Sequence, residues 1–301
     1  MIPGVRHLFL MLFPLCGCLA AAELKVASLH PLLGDLARQV GGERVEVVDL
    51  IGRNVDPHHF EPQPEDLRAA GDARLFLASG KGLETYLDTL RTLLPADARL
   101  IEVGATLPGL EGSCDHPGHD HEGTEDPHWW HSIDAFRRAA TVTAEALAEA
   151  DPDGAAGYRA RALAYRAELD RLERWTRRQV ARIPRDRRVL ATAHAAFGYF
   201  CHDHGFEALP VQGLNREQMP DAPSLARLIR KLRESQVTVI FPEKGSNPKI
   251  LAALTRDTGI RLAPPLDADG STSESYQAMI RDNVGTIVEA LRGKPPASVK
   301  P

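Results

Sequence analysis

Beyond residue 22 the chain has no apolar run long enough to span a membrane. It also lacks an excess of positive charge: the formal net charge is −5 at pH 7, which argues against a nucleic-acid partner. Cysteine is scarce. Of the four, Cys16 and Cys18 fall within the first 22 residues, leaving Cys114 and Cys201. An oxidising compartment would permit one bridge between those two; a free, buried Cys201 is the alternative. No His-Glu-x-x-His pair is present, so the helical zinc-protease arrangement is missing. No internal repeat is strong at the level of letters.

What is present begins with a leader. Arg6 and His7 precede the uncharged apolar run Leu8 to Leu19, and Ala20-Ala21-Ala22 supplies small residues at a cleavage position. This reads as a secretory signal peptide cut before Glu23, so the chain is exported. Leu15-Cys16-Gly17-Cys18 distantly resembles a lipobox, which keeps a lipoprotein anchor as an alternative. The remaining length suits two domains, and 43% hydrophobic with 26% charged residues is ordinary for a globular chain.

The chain is organised around one long helix, predicted from Pro152 to Ile183. Tyr158, Ala162, Tyr165, Leu169, Leu172, Thr176 and Ile183 recur mostly by threes and fours, which marks one helical face. Asp151 is placed to cap its start with Pro152 at the first position, and Pro184 to stop it. Before it, runs such as LKVASL (24–29), RVEVVDLI (44–51), ARLFLA (73–78) and 99–103 read as strands alternating with helices. After it the pattern restarts at 188–192, 206–211, 237–241 and 260–263, with helices between and a last helix over 275–291. The expected fold is α/β: two lobes, each a mostly parallel sheet of about four strands with flanking helices, joined by one long rigid helix. The divisions are 1–22 signal peptide, 23–150 N-terminal lobe, 151–184 linking helix and 185–301 C-terminal lobe.

The residues that carry chemistry sort around that helix. Asp56-Pro57-His58-His59-Phe60-Glu61-Pro62 is a loop stiffened by prolines, and Asp126-Pro127-His128-Trp129-Trp130-His131 repeats the Asp-Pro-His tripeptide. His194, in TAHAAFGYF, sits at a strand-to-helix corner, while His202 and His204 on the following helix read as solvent-facing. Asp267 and Asp269 follow the last strand, and either carboxylate can complete a set with the histidines. Three imidazoles and a carboxylate make a tetrahedral zinc site, and a poor site for calcium or magnesium. The polar segment 114–125, with Cys114, His116, His119 and His121, has the composition of a flexible auxiliary metal-capture loop.

These motifs resemble the periplasmic zinc- and manganese-binding proteins of ABC importers, of the high-affinity zinc-uptake solute-binding type. The family patterns are met at Asp56 to Pro62, Asp126 to Trp130, His194 to Tyr199, and by Asp269, Tyr276, Met279 and Asn283. The resemblance covers essentially the whole mature chain in order. It implies His58, His128, His194 and Asp269 as metal ligands, selecting His58 over His59 and Asp269 over Asp267. It implies zinc as the transported ion, since manganese members carry Glu in place of the third His; manganese is the alternative. It implies a monomeric periplasmic protein that is not an enzyme and delivers metal to an ABC permease with its ATPase. A periplasmic zinc metallochaperone is a further expected partner. A zinc-dependent hydrolase, with Glu61 or Glu243 as base, and a surface adhesin are the rival readings.

Overall fold

The computed structural model describes residues 23–110, 125–214, 221–246 and 251–293 without 252, 253 and 257. The leader and its cleavage site, Cys114, His116, His119, His121, much of the helix expected over 248–258, and the chain end lie outside the described residues.

The first sheet takes β1 (Leu24–Ser28), β2 (Val45–Asp49), β3 (Leu75–Ala78) and β4 (Arg99–Glu102) in the order β2-β1-β3-β4, all parallel. The two inner strands follow from their letters: LFLA is buried at every position, as a strand covered on both faces must be. Three helices connect them: α1 (Pro31–Gly41), α2 (Pro64–Ala70) and α3 (Leu87–Leu93). α1 starts at His30, whose Nδ1 accepts the Leu32 N–H at 3.3 Å, with Pro31 in its first turn.

The second sheet also has four strands, two of them only two residues long. β5 (Val189–Thr192) pairs with β6 (Glu207–Pro210), and β7 (Val239–Ile240) with β8 (Arg261–Leu262), all parallel. The two ladders meet at an isolated Thr192–Phe241 bridge, where the Phe241 N–H donates to the Ala191 carbonyl at 2.8 Å. Pro242 faces the other side, where its carbonyl accepts the Leu266 N–H at 2.8 Å. The order is thus β6-β5-β7-β8. Between these strands lie α6 (Gly198–His204) and α7 (Ala222–Glu234).

A helical layer of α4 (Ile133–Ala150), α5 (Ala155–Val180) and α8 (Tyr276–Leu291) unites the halves. α5 packs against α4, α1 and α8. One hydrophobic core runs from Leu24 and Leu77 of the first lobe, through Phe136, Tyr158, Leu169 and Ile287, to Leu190 and Phe241 of the second. The buried face of α5 is Tyr158, Ala162, Tyr165, Leu169, Leu172, Thr176 and Val180. At 26 residues α5 spans about 39 Å. It starts and ends later and earlier than the proline positions imply. Residues 152–154 form a 3-10 turn, and Asp151 does not cap with its side chain. Its carboxylate is drawn off by Arg44, at 2.9 Å, and by the Tyr158 hydroxyl, at 2.5 Å. At the other end Arg188 donates to the carbonyls of Val180 and Ile183, where α5 ends, and to that of His204, the last residue of α6.

Two smaller expectations are settled here. His202 is solvent-facing, but His204 is buried, its ring 4.7 Å from that of Phe200. Cys201 is buried on α6 and in no disulfide among the described residues; burial pushes its thiol up. Among the described residues no helix is long and apolar enough to cross a membrane.

Candidate metal centre

Three loops bring three imidazoles to one point. The Nε2 atoms of His58 and His128 are 3.0 Å apart, and those of His128 and His194 are 3.3 Å apart. One ligand atom from each of the three falls within 4.8 Å of the others. Two nitrogens on a tetrahedral zinc ion, each about 2.05 Å from the metal, are roughly 3.3 Å apart. His128 and His194 are fully buried and His58 is half-buried, whereas His59 is exposed.

The local sequence explains the convergence. In both Asp-Pro-His tripeptides the aspartate accepts the backbone N–H of its histidine, Asp56 from His58 at 3.0 Å and Asp126 from His128 at 2.9 Å. This is an Asx turn made stiff by the proline between. His194 lies just past β5, where the Thr192 hydroxyl donates to the His194 carbonyl at 2.8 Å. The first two histidines come from the N-terminal lobe and the third from the edge of the second sheet.

Behind two of the imidazoles stand carboxylates. Asp126 Oδ1 lies 2.8 Å from His128 Nδ1. Glu243 accepts the His194 N–H at 2.9 Å and makes a short contact with His194 Nδ1. A carboxylate at Nδ1 holds the proton there, so Nε2 presents its lone pair to the shared point and becomes more basic. Burial raises the Asp126 carboxyl to about 7, against the pull of the His128 N–H, His131 and His194. Gly198 permits this approach, since a Cβ there would sit 2.5 Å from Asp126 Oδ2. Asp126→Asn and Glu243→Gln keep the shapes and remove the charges; each is expected to weaken metal binding by about 10- to 100-fold in a chelator competition. Glu243, a candidate general base in the sequence, therefore sits behind His194.

The fourth expected ligand, Asp269, is buried in the turn after the last strand; among the described residues the ligand atoms within 4.8 Å of one another are those of the three histidines and do not include Asp269. The Ala268 carbonyl accepts from Trp130 Nε1 and from His131 Nε2, both at 2.8 Å, which fastens this turn to the residues just after His128. Burial lowers the His131 pKa to about 4, so the ring is neutral when it makes this bond. Asp267 is occupied differently. Its carboxylate accepts from the N–H groups of Asp269, Gly270 and Thr272 and from the hydroxyls of Thr272 and Ser273. Burial raises its pKa, but the bonds from Thr272 and Ser273 outweigh that and hold it below the usual range. Asp267 organises the turn that carries Asp269.

A further support was not legible in the sequence. Lys81 has φ +56 and a side chain only 2% exposed; its Nζ donates to the Leu107 carbonyl at 3.0 Å and to Glu125 Oε1 at 2.6 Å. Two residues earlier, Ser79 accepts the Trp129 indole N–H at 3.0 Å on its hydroxyl. The turn after β3 thus grips the His128 segment on both sides.

Comparison with known proteins places the chain in a family. The chain matches the family of the periplasmic zinc-uptake complex component A (ZnuA) over residues 26–290. It is 31% identical to the manganese-binding lipoprotein MntA of Halalkalibacterium halodurans, over 89% of this chain and 88% of that one. It is 26% identical to the manganese ABC transporter substrate-binding lipoprotein PsaA of Streptococcus pneumoniae, over 89% of each. Among solved structures, the periplasmic zinc-binding protein TroA of Treponema pallidum is similar with a TM-score of 0.79 and 26% identity, over 90% of this chain and 99% of that one. Family membership makes this chain a binding component and not a hydrolase. The chain belongs to the zinc-uptake component A family, the extracytoplasmic metal-binding components of ABC metal transporters.

Proposed function

We propose that this protein captures one Zn2+ ion between lobes 23–150 and 185–301, joined by 151–184, and hands it to the permease and ATPase of an ABC importer. The ligands are His58, His128, His194 and Asp269. The observation that carries this reading is the convergence of three Nε2 atoms at 3.0 and 3.3 Å, two of them backed by buried carboxylates. Imidazole-rich donor sets suit zinc, whereas manganese favours carboxylate, carbonyl and water oxygens. Four protein ligands close the shell, as a carrier requires and a catalytic site does not. The leader sequence supports release into the periplasm after cleavage near Ala22 and Glu23, with lipid anchoring through the leader cysteines as the variant that the lipoprotein relatives favour. Auxiliary capture by His116, His119 and His121, and hand-over from a zinc metallochaperone, belong to the same reading.

Manganese is the second reading, favoured by the names of MntA and PsaA. Titration of stripped mature protein with zinc and manganese, singly and in competition, separates the two. One zinc per chain, bound at nanomolar Kd or below (about 12 kcal/mol) and not displaced by excess manganese, is the expected result. Preferential manganese binding would overturn the zinc assignment and leave the carrier role standing.

A further inference from the structure

Tyr276, the first residue of α8, is tied in three directions. Its backbone N–H donates to Asp35 Oδ2 of α1 at 2.8 Å. Its hydroxyl donates to the Trp130 carbonyl at 2.9 Å, next to the His128 segment. Its ring stacks on Phe136 with centroids 3.5 Å apart and planes 2° from parallel. Immediately before it runs the turn built on Asp267, which carries Asp269. Asn283, on α8 itself, brackets Asp267 by accepting its N–H at 2.9 Å and donating to its carbonyl at 2.7 Å. The turn and the helix are therefore one unit.

That unit leans on α1 of the other lobe. Gly270 has φ +72, and a Cβ there would sit 2.2 Å from Leu32 Cδ2. The Asn54 N–H donates to the Ser271 carbonyl at 3.4 Å. Arg38, one turn along α1, is engaged with Asp49 at 2.6 Å and the Val47 carbonyl at 3.2 Å, which leaves the Asp35 carboxylate for α8. The other Asp35 oxygen accepts from Gln39 at 3.3 Å. An aspartate aimed at the first N–H of a helix also lies at the favourable end of its dipole.

We propose that Asp35 is a positioning residue for metal capture: from α1 it fixes the start of α8, and so sets where Asp269 stands against His58, His128 and His194. The inference rests on the reading of Asp269 as the fourth ligand. Without this tie the turn keeps its Trp130 and His131 bonds to Ala268 but can tilt about them while the three imidazoles stay in place, so the loss falls on the residence time of the ion.

The test is zinc release into a chromophoric chelator, followed by stopped flow on full mature protein. Wild type is compared with Asp35→Ala, Asp35→Asn, Asp269→Ala and the Asp35→Ala/Asp269→Ala pair. Asp35→Ala is expected to release zinc about 10-fold faster or more, in the range of lost outer-shell support. Asp35→Asn, whose amide oxygen still accepts the Tyr276 N–H, stays within about threefold of wild type. The double variant is no worse than Asp269→Ala, because the two act through one contact. Should Asp35→Ala fold poorly, Asp35→Glu keeps the acceptor but shifts it by a methylene, and faster release is again expected. Wild-type release from Asp35→Ala, or additive losses in the double variant, would overturn the proposal. Intact zinc binding in Asp269→Ala would instead remove the fourth-ligand reading beneath it; loss in Asp269→Ala with none in Asp35→Ala would remove the proposal alone.

Discussion

His128→Ala is expected to lower zinc affinity by about 1,000-fold or more, roughly 4 kcal/mol, with the apo protein still folded. Among the three imidazoles His128 is the one whose Nε2 meets both others, at 3.0 and 3.3 Å, and its side chain is wholly buried. Removing it deletes a ligand and opens a void that water must fill between His58 and His194. Asp126 then loses its ring partner, while its bond to the backbone N–H of residue 128 survives, so the loop keeps its turn. Isothermal titration of stripped protein measures the loss directly. Trp129 and Trp130, buried directly after His128, report by fluorescence whether the fold is intact. His59→Ala is the matched control: that ring is exposed, and affinity should stay within about twofold. A variant of His128 that binds zinc as wild type does would remove this histidine from the site.

Stripping the ion has the second large effect. A ligand at 1,000 times its Kd that binds the folded chain alone stabilises it by about 4.1 kcal/mol. For a chain of this size each kcal/mol corresponds to about 2–4 °C, so chelation should lower Tm on the order of 10 °C, and re-addition of zinc should restore it. The structural cause is local. Three imidazole lone pairs held toward one point repel each other unless a cation or a proton lies between them. Protons compete for the same nitrogens, so the metal-dependent part of Tm is expected to shrink as pH falls below the ordinary histidine range near 6.5. Calorimetric scans of loaded and stripped protein at pH 7.5 and 5.5 check both statements. A Tm that ignores chelation would mean that the ion does not bridge folded elements.

Much of the site was legible because its residues are marked by short-range chemistry. Asp56-Pro57-His58 and Asp126-Pro127-His128 announce themselves: the aspartate needs only its own neighbours to accept the histidine N–H. The buried face of α5 followed from its spacing, and β1 and β3 from their apolar letters. What sequence reasoning missed comes from long-range contacts. Glu243 reaches His194 across 49 positions and Asp35 reaches Tyr276 across 241, and no local pattern encodes either pairing. Asp151 looked like a helix cap by position, but Arg44 from the first lobe competes for it and wins. The role of Asp126 does have a local signal, an aspartate two residues before a candidate ligand histidine.

The account turns on one ion held by three imidazole nitrogens and one carboxylate oxygen. X-ray absorption at the zinc edge of the loaded mature protein tests this most directly. The predicted spectrum has four nitrogen or oxygen neighbours at about 2.0–2.1 Å, with outer-shell scattering that requires three imidazoles and loses one in His194→Ala. A sulfur neighbour near 2.3 Å, or a six-coordinate oxygen-dominated shell, would contradict it.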